Sequence, residues 1–200
     1  MTVPTTSLGL RERKKLATRR NIKQAALHLA LEEGLESLTV EAISEVADVS
    51  PRTFFNYFSS KEEALVGENF EAEAEVRETI LTRPSDEAPL RTLRLAVAGS
   101  EMLRAADDRR DEAIAHQRLV RQNPSLLPRQ LAKYAAFERS LADALAERLG
   151  VDPDLDARPG VFAAVAVAVV RVALHRWTTD QTRPLGELVD EGFDQLEGGL

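Results

Sequence analysis

The stretch Pro51-Arg52-Thr53-Phe54-Phe55-Asn56-Tyr57-Phe58 gathers side chains suited to reading the edges of nucleic-acid bases. Arginine forks onto guanine, asparagine pairs with adenine, and the methyl group of threonine touches that of thymine. On helical spacing Phe54 and Phe58 share a stripe and anchor inward, with Phe55 flanking them, while Arg52, Thr53, Asn56 and Tyr57 face outward. Ser50 and Pro51 complete the candidate DNA-contacting set at the helix start. Tyr57, Thr39 and Lys61 suit phosphate oxygens, contacts that fix register without carrying sequence information. A short amphipathic helix with a solvated outer face has the same spacing, so the neighbouring elements decide between the two.

Those elements are helical. Lys15 to Glu33 buries Ile22, Ala26, Leu29 and Ala30 on one stripe and stops at Gly34, where a positive φ suits glycine. Thr39 caps a second helix running to Val46, with Glu41 in its first turn. Ser50-Pro51 then supplies a cap and a first-turn proline for a third helix ending near Phe58. Only Ala47, Asp48 and Val49 separate helices two and three, which forces a steep crossing and so a helix-turn-helix. Asp48 stands where such a turn needs positive φ, which aspartate tolerates. Ser60-Lys61-Glu62-Glu63 reads as a capping box opening a long fourth helix to about Leu81.

Further helices fit Leu90 to Ala106, Asp111 to Gln122, Pro128 to Leu149, Leu155 to Thr178 and Leu185 to Leu196, punctuated by Asn123-Pro124, Gly150 with Pro153, and Arg183-Pro184. No segment pairs convincingly as a hairpin. The expected fold is all-α with about nine helices: a DNA-binding head with a basic arm over residues 1–61, and a ligand-binding and dimerisation domain over 62–200.

The chain carries a net charge of -7, unpromising for a DNA binder until its distribution is considered. Arg11, Arg13, Lys14, Lys15, Arg19, Arg20 and Lys23 stand against Glu12 alone, whereas residues beyond 61 carry an acidic excess. A basic end on an acidic body turns that end toward a polyanion, adding counterion release and minor-groove contact. Absence of cysteine excludes disulfides, thiolate metal sites and thiol nucleophiles, and fits a reducing cytoplasm. Met1 to Leu10 lack the pattern of a secretion signal, and the apolar run Val161 to Val170 is short for a bilayer core of about 30 Å, so no membrane partner is expected.

Over its whole length, Thr18 to Lys61 resembles the head of the TetR/AcrR family of transcriptional regulators. The matching pieces are Ala25-Ala26, Glu33-Gly34, Leu38-Thr39-Val40, Ile43, Ala47-Asp48-Val49-Ser50, Phe55-Asn56-Tyr57-Phe58 and Ser60-Lys61-Glu62. Asp48 departs from the more common turn glycine, and Phe55 stands where many relatives have tyrosine. With no hydroxyl for a phosphate, Phe55 is not counted as a DNA contact. The resemblance implies a homodimer that binds a near-palindromic operator, usually represses, and releases DNA when a ligand binds the C-terminal domain.

Leu131 to Trp177 resembles the branch of that family whose C-terminal domain is similar to that of the mycofactocin-system regulator, through Phe137-Glu138-Arg139, Ala144 to Gly150, Asp152-Pro153-Asp154 and His175-Arg176-Trp177. That branch implies long-chain acyl-CoA ligands. Such a ligand needs an apolar tunnel and basic groups at its mouth. Phe70, Met102, Leu103, Leu119, Phe137, Phe162 and Trp177 are the candidate lining, with Arg118 or Arg121 at the mouth; taken one by one, ordinary core packing is the better explanation of the apolar ones, and solvated charge of the arginines. The helices at 155–178 and 185–196 are expected to pair with their symmetry mates as a four-helix interface.

His28, His116 and His175 lack ligand spacing, so neither metal nor cofactor is expected. No nucleophile-and-base set, glycine-rich phosphate loop or zinc motif marks an enzyme. The alternative that remains is a ligand-independent architectural DNA-binding protein, whose head would look the same.

Overall fold

A computed structural model describes residues 9–66, 70–180 and 182–198, without the side chains of Glu12 and residues 70–72. It is all-helical: α1 (Leu10–Glu33), α2 (Val40–Val46), α3 (Pro51–Phe55), α4 (Lys61–Val66), α5 (Phe70–Thr82), α6 (Pro89–Ala98), α7 (Glu101–Asp108), α8 (Arg110–Gln122), a 3-10 turn (Pro124–Leu126), α9 (Leu127–Leu149), α10 (Arg158–Trp177) and α11 (Leu185–Glu197).

Two compact units emerge. In the first, the described residues up to 66 cluster with Leu119–Arg129. Its core contains Ile22, Ala26, Leu38, Ile43, Phe54, Phe58 and, from the distant segment, Leu119, Val120 and Leu126. The expected stripe on α1 is buried throughout, and Gly34 takes φ 84° at the helix end. However, α1 begins at Leu10, five residues before the expected start at Lys15. Arg, Lys, Glu, Leu and Ala are strong helix formers, and propensity carries the exposed turns where no stripe is needed. The basic cluster from Arg11 to Lys23 therefore lies on a helix and not on an extended arm.

The second unit comprises the described residues from 70 to Arg118 and from Gln130 to 198. Here α10 packs on α6 and α11, α11 also meets α6 and α7, and α5 meets α6 and α7. Gly192 permits the close approach of α11 to α10, since a Cβ there would meet Val169 Cγ1 at 2.7 Å. Ion pairs brace the outside: Arg94 bonds Asp190 at 2.8 Å and also Asp194, while Glu191 takes both Arg176 at 2.7 Å and Arg183 at 2.5 Å.

The single helix expected from Leu90 to Ala106 is two. Gly99 ends α6, and Ser100 turns extended with ψ 148°. Ser100 makes no side-chain cap; the Glu75 carboxylate accepts from the Glu101 amide instead, at 3.0 and 3.1 Å. The helix expected from Leu155 starts at Arg158, because Asp152 and Asp156 hold the preceding turn through the amides of Asp154 and Arg158. At 20 residues α10 is long and apolar enough to cross a membrane, contrary to the expectation from the apolar run alone, because flanking residues extend that run. Its inward stripe, which includes Ala163, Ala166, Val170 and Trp177, is nonetheless buried in the core of this unit.

Candidate nucleic-acid interface

The turn between α2 and α3 closes through two nested hydrogen bonds, from the Asp48 amide to the Glu45 carbonyl at 3.2 Å and from the Val49 amide to the Ser44 carbonyl at 2.9 Å. This pairing satisfies the last carbonyls of α2 and requires a left-handed residue just after the helix. Asp48 is that residue, at φ 53°. On the entry side, the Ser50 hydroxyl accepts from the Thr53 amide at 3.1 Å and Pro51 occupies the first turn, so α3 starts at a defined point. Thr39 caps α2 in the same way, accepting from the Ala42 amide at 3.1 Å.

Regular α3 stops at Phe55, earlier than the Phe58 expected from the pattern, although Tyr57 and Phe58 still donate to the Phe54 carbonyl at 2.9 and 3.0 Å. Phe54 and Phe58 are buried as expected, with rings 5.8 Å apart. Ser50, Pro51, Arg52 and Asn56 are exposed together on the opposite side, with Thr53 and Tyr57 half-buried at its edge. Thr39, at the start of α2, is exposed too. Phe55 does not anchor inward. It is 57% exposed and rests its ring edge-on against Phe54 at 5.5 Å. Successive helical residues are offset by about 100°, so the position after Phe54 falls on the boundary of the buried stripe, and Phe54 already fills the space beneath it.

Two cations, Lys61 from the candidate phosphate contacts and Arg19 from the basic cluster, are engaged inside this unit. Lys61 donates its ammonium to the carbonyls of Leu35 and Leu38, at 3.0 and 2.7 Å, tying α4 to the turn between α1 and α2. Arg19 donates to the Tyr57 carbonyl at 3.0 Å while its guanidinium lies 4.4 Å over the Phe58 ring, clasping the end of the α3 segment. The capping box at α4 is shifted by one residue: Ser60 accepts from the Glu63 amide at 3.2 Å, but the Glu63 carboxylate accepts from the amide and hydroxyl of Ser59, at 2.7 and 2.5 Å. Burial pushes the Glu63 carboxyl up, yet the Ser59 donors and the nearby guanidinium groups of Arg129 and Arg19 outweigh it and hold the carboxyl below its ordinary value.

These ties make Lys61 a support for the turn as well as a cation. Lys61→Ala is expected to lower the stability of the first unit by roughly 1.5–3 kcal/mol, the worth of hydrogen bonds to a charged group. Denaturant titration checks the loss. A residue acting only on a phosphate would leave stability unchanged and flatten the salt dependence of DNA binding by about one charge.

The residues considered for an apolar ligand divide between the units. Leu103, Phe137 and Trp177 are buried in the second core, with Met102 and Phe162 partly buried against it. Leu119 does not join them; the last turn of α8 belongs to the first unit, where Leu119 is buried with Val120 and Leu126. Arg118 and Arg121 are exposed. The side chain of Phe70 lies outside the described residues. Trp177 is fully buried, its indole N–H donating to Asp107 Oδ1 at 2.8 Å with the Arg110 guanidinium 4.7 Å over its ring. Asp107 also accepts from the Leu185 amide at 3.0 Å, so this tryptophan is a structural junction of α7, α10 and α11.

Comparison with known proteins agrees with this architecture. Residues 22–66 match the family model of bacterial regulatory proteins, tetR family, and residues 87–200 match the MftR C-terminal domain. The chain is 39% identical over 181 residues to the HTH-type transcriptional regulator TcmR of Streptomyces glaucescens, covering 84% of this chain and 76% of the relative. It is 26% identical over 192 residues to a protein named as the mycofactocin biosynthesis transcriptional regulator MftR of Mycobacterium tuberculosis, covering 94% and 93%. Among solved structures, FadR of Bacillus subtilis in complex with stearoyl-CoA superposes with a TM-score of 0.59 at 21% identity, covering 90% of this chain and 98% of that one. The helix-turn-helix geometry, the two family models and the identity to TcmR lead to one conclusion: the chain is a DNA-binding transcriptional regulator of the TetR family, with an MftR-type C-terminal domain.

Proposed function

We propose that this regulator is a ligand-responsive repressor. As a homodimer it binds a near-palindromic operator in double-stranded DNA, and a small apolar molecule bound to the C-terminal unit releases it. The observation that carries this reading is the exposed pair Arg52, on α3, and Asn56, at its C-terminal cap, in a segment whose start is set by Ser50 and Pro51 and whose end is clasped by Arg19. Arginine and asparagine are the side chains that fork onto guanine and adenine in the major groove. Thr53 adds a methyl beside them, and Ser50, Thr39, Tyr57 and the remaining reach of Lys61 serve the backbone, where contacts orient without specifying.

A two-fold dimer presents two such helices to half-sites one helical turn or a multiple apart. Support for the dimer comes from α10, where Val161, at 59%, and Val172, at 61%, are exposed on the same face as the half-buried Val165 and the exposed Ala168. The spacing of four, three and four residues forms an apolar seam of the kind that pairs helices. Val172→Asp places a charge in that seam and is expected to shift the protein from dimer to monomer in sedimentation velocity, with helical content retained.

Long-chain acyl-CoA is the ligand class favoured here. The MftR-type domain and the stearoyl-CoA bound by the B. subtilis FadR structure support it. Met102 and Phe162, at the edge of the second core, are the side chains best placed to yield to an acyl chain without dismantling it. Release requires that the ligand prefer the conformation that does not bind DNA. A regulator of this kind acts in the cytoplasm, and its family is one of regulators, not enzymes.

The test is Arg52→Ala, measured on a duplex selected from a random-sequence pool and on unselected DNA. The variant is expected to lose about 1–3 kcal/mol on the selected duplex, relax preference at one base pair per half-site, and lose far less on unselected DNA. Equal losses on both would remove Arg52 from base reading and favour an architectural, sequence-indifferent binder.

A further inference from the structure

Phe55 is the large apolar side chain on the outward side of α3, exposed in the same patch as Pro51, Arg52 and Asn56. Pro51 lies one helical turn before it, so the two form an apolar edge beside the polar reading pair. The Phe55 ring is not loose: its edge-to-face contact with Phe54, at 5.5 Å and 86°, holds it against a side chain that is itself fully buried. A rigid aromatic ring with no hydrogen-bonding group has nothing to offer a phosphate oxygen. What it matches in a major groove is the one apolar group displayed there, the C5-methyl of thymine.

We infer that Phe55 is a specificity-determining residue that packs on a thymine methyl group in each operator half-site, adjacent to the base pairs read by Arg52 and Asn56. The inference rests on the reading of α3 as the major-groove helix and assigns the chemistry of one further base. It gives the exposed ring a partner, and it predicts a thymine requirement that hydrogen-bonding side chains alone would not impose.

The experiment replaces thymines of the selected duplex one at a time with 2′-deoxyuridine, which pairs identically and lacks only the methyl. Wild-type protein, Phe55→Ala and Phe55→Leu are compared by fluorescence anisotropy at fixed salt. One position per half-site is expected to weaken wild-type binding by about fourfold, the worth of one buried methyl-sized group. At that position Phe55→Ala is expected to bind thymine and uracil duplexes equally, while Phe55→Leu, still apolar, retains part of the preference. Loss of discrimination in the alanine variant alone supports the assignment. Sensitivity that persists unchanged in Phe55→Ala, or wild-type indifference at every thymine, overturns it while leaving the DNA reading intact. Wild-type affinity that is no higher for the selected duplex than for random DNA overturns both.

Discussion

Phe54→Ala is expected to destabilise the first unit by about 3–5 kcal/mol, the range for truncating a fully buried phenylalanine. Phe54 is 0% exposed, in a core shared by α1, α2 and the segment 119–129, and it is the platform for Phe55 and the partner of Phe58. A loss of that size is a large share of the roughly 5–15 kcal/mol by which a domain is stable. Its removal undermines both the attitude of the reading helix and the unit that carries it. Chemical denaturation followed by circular dichroism measures the loss, and specific DNA binding should fail in parallel. A loss below about 1 kcal/mol, well short of that range, would mean that the site collapses around the vacancy and that Phe54 does not set the position of α3.

Trp177→Ala is expected to have a comparable effect on the second unit, about 3–5 kcal/mol, by opening a cavity where α10 ends. Trp177→Phe separates two contributions, because it keeps most of the apolar area and removes the indole N–H that Asp107 accepts. Depriving a part-buried carboxylate of one donor costs about 1–3 kcal/mol, so the phenylalanine variant should fall between wild type and alanine. Thermal and denaturant unfolding rank the three. If the phenylalanine variant matched wild type, the Asp107 bond would be dispensable and Trp177 would contribute through packing alone.

Much of this architecture is legible along the chain because it is written in local signals. Apolar stripes at helical spacing mark α1, α9 and α10; Ser50-Pro51, Thr39 and Asp48 mark the starts and the turn of the helix-turn-helix, and each takes the local conformation its chemistry favours. The early start of α1 escaped detection because helix propensity without burial leaves no periodic trace. The break at Gly99-Ser100 was concealed because the cap for α7 comes from Glu75, on another helix.

Non-local pairing accounts for the remainder. Nothing near Lys61 in the chain indicates the carbonyls of Leu35 and Leu38, and nothing near Leu119 indicates that it completes the core around Phe54. Trp177, a natural candidate for a ligand wall by composition, meets its partners Asp107 and Leu185 only once α7, α10 and α11 have packed. Phe55 is the instructive intermediate case. Its angle on the helix places it at the margin of the buried stripe, and only the packing of Phe54 decides that it faces outward.

Ligand-responsive, sequence-specific DNA binding is tested by the affinity of the full chain for a duplex selected from a random pool, set against unselected DNA at the same salt, with and without a long-chain acyl-CoA. Binding to the selected duplex is expected to be tight, exceeding that for unselected DNA by at least about 10³, and to be lost on addition of the acyl-CoA. Equal affinity for both duplexes, unaffected by acyl-CoA, would contradict that expectation.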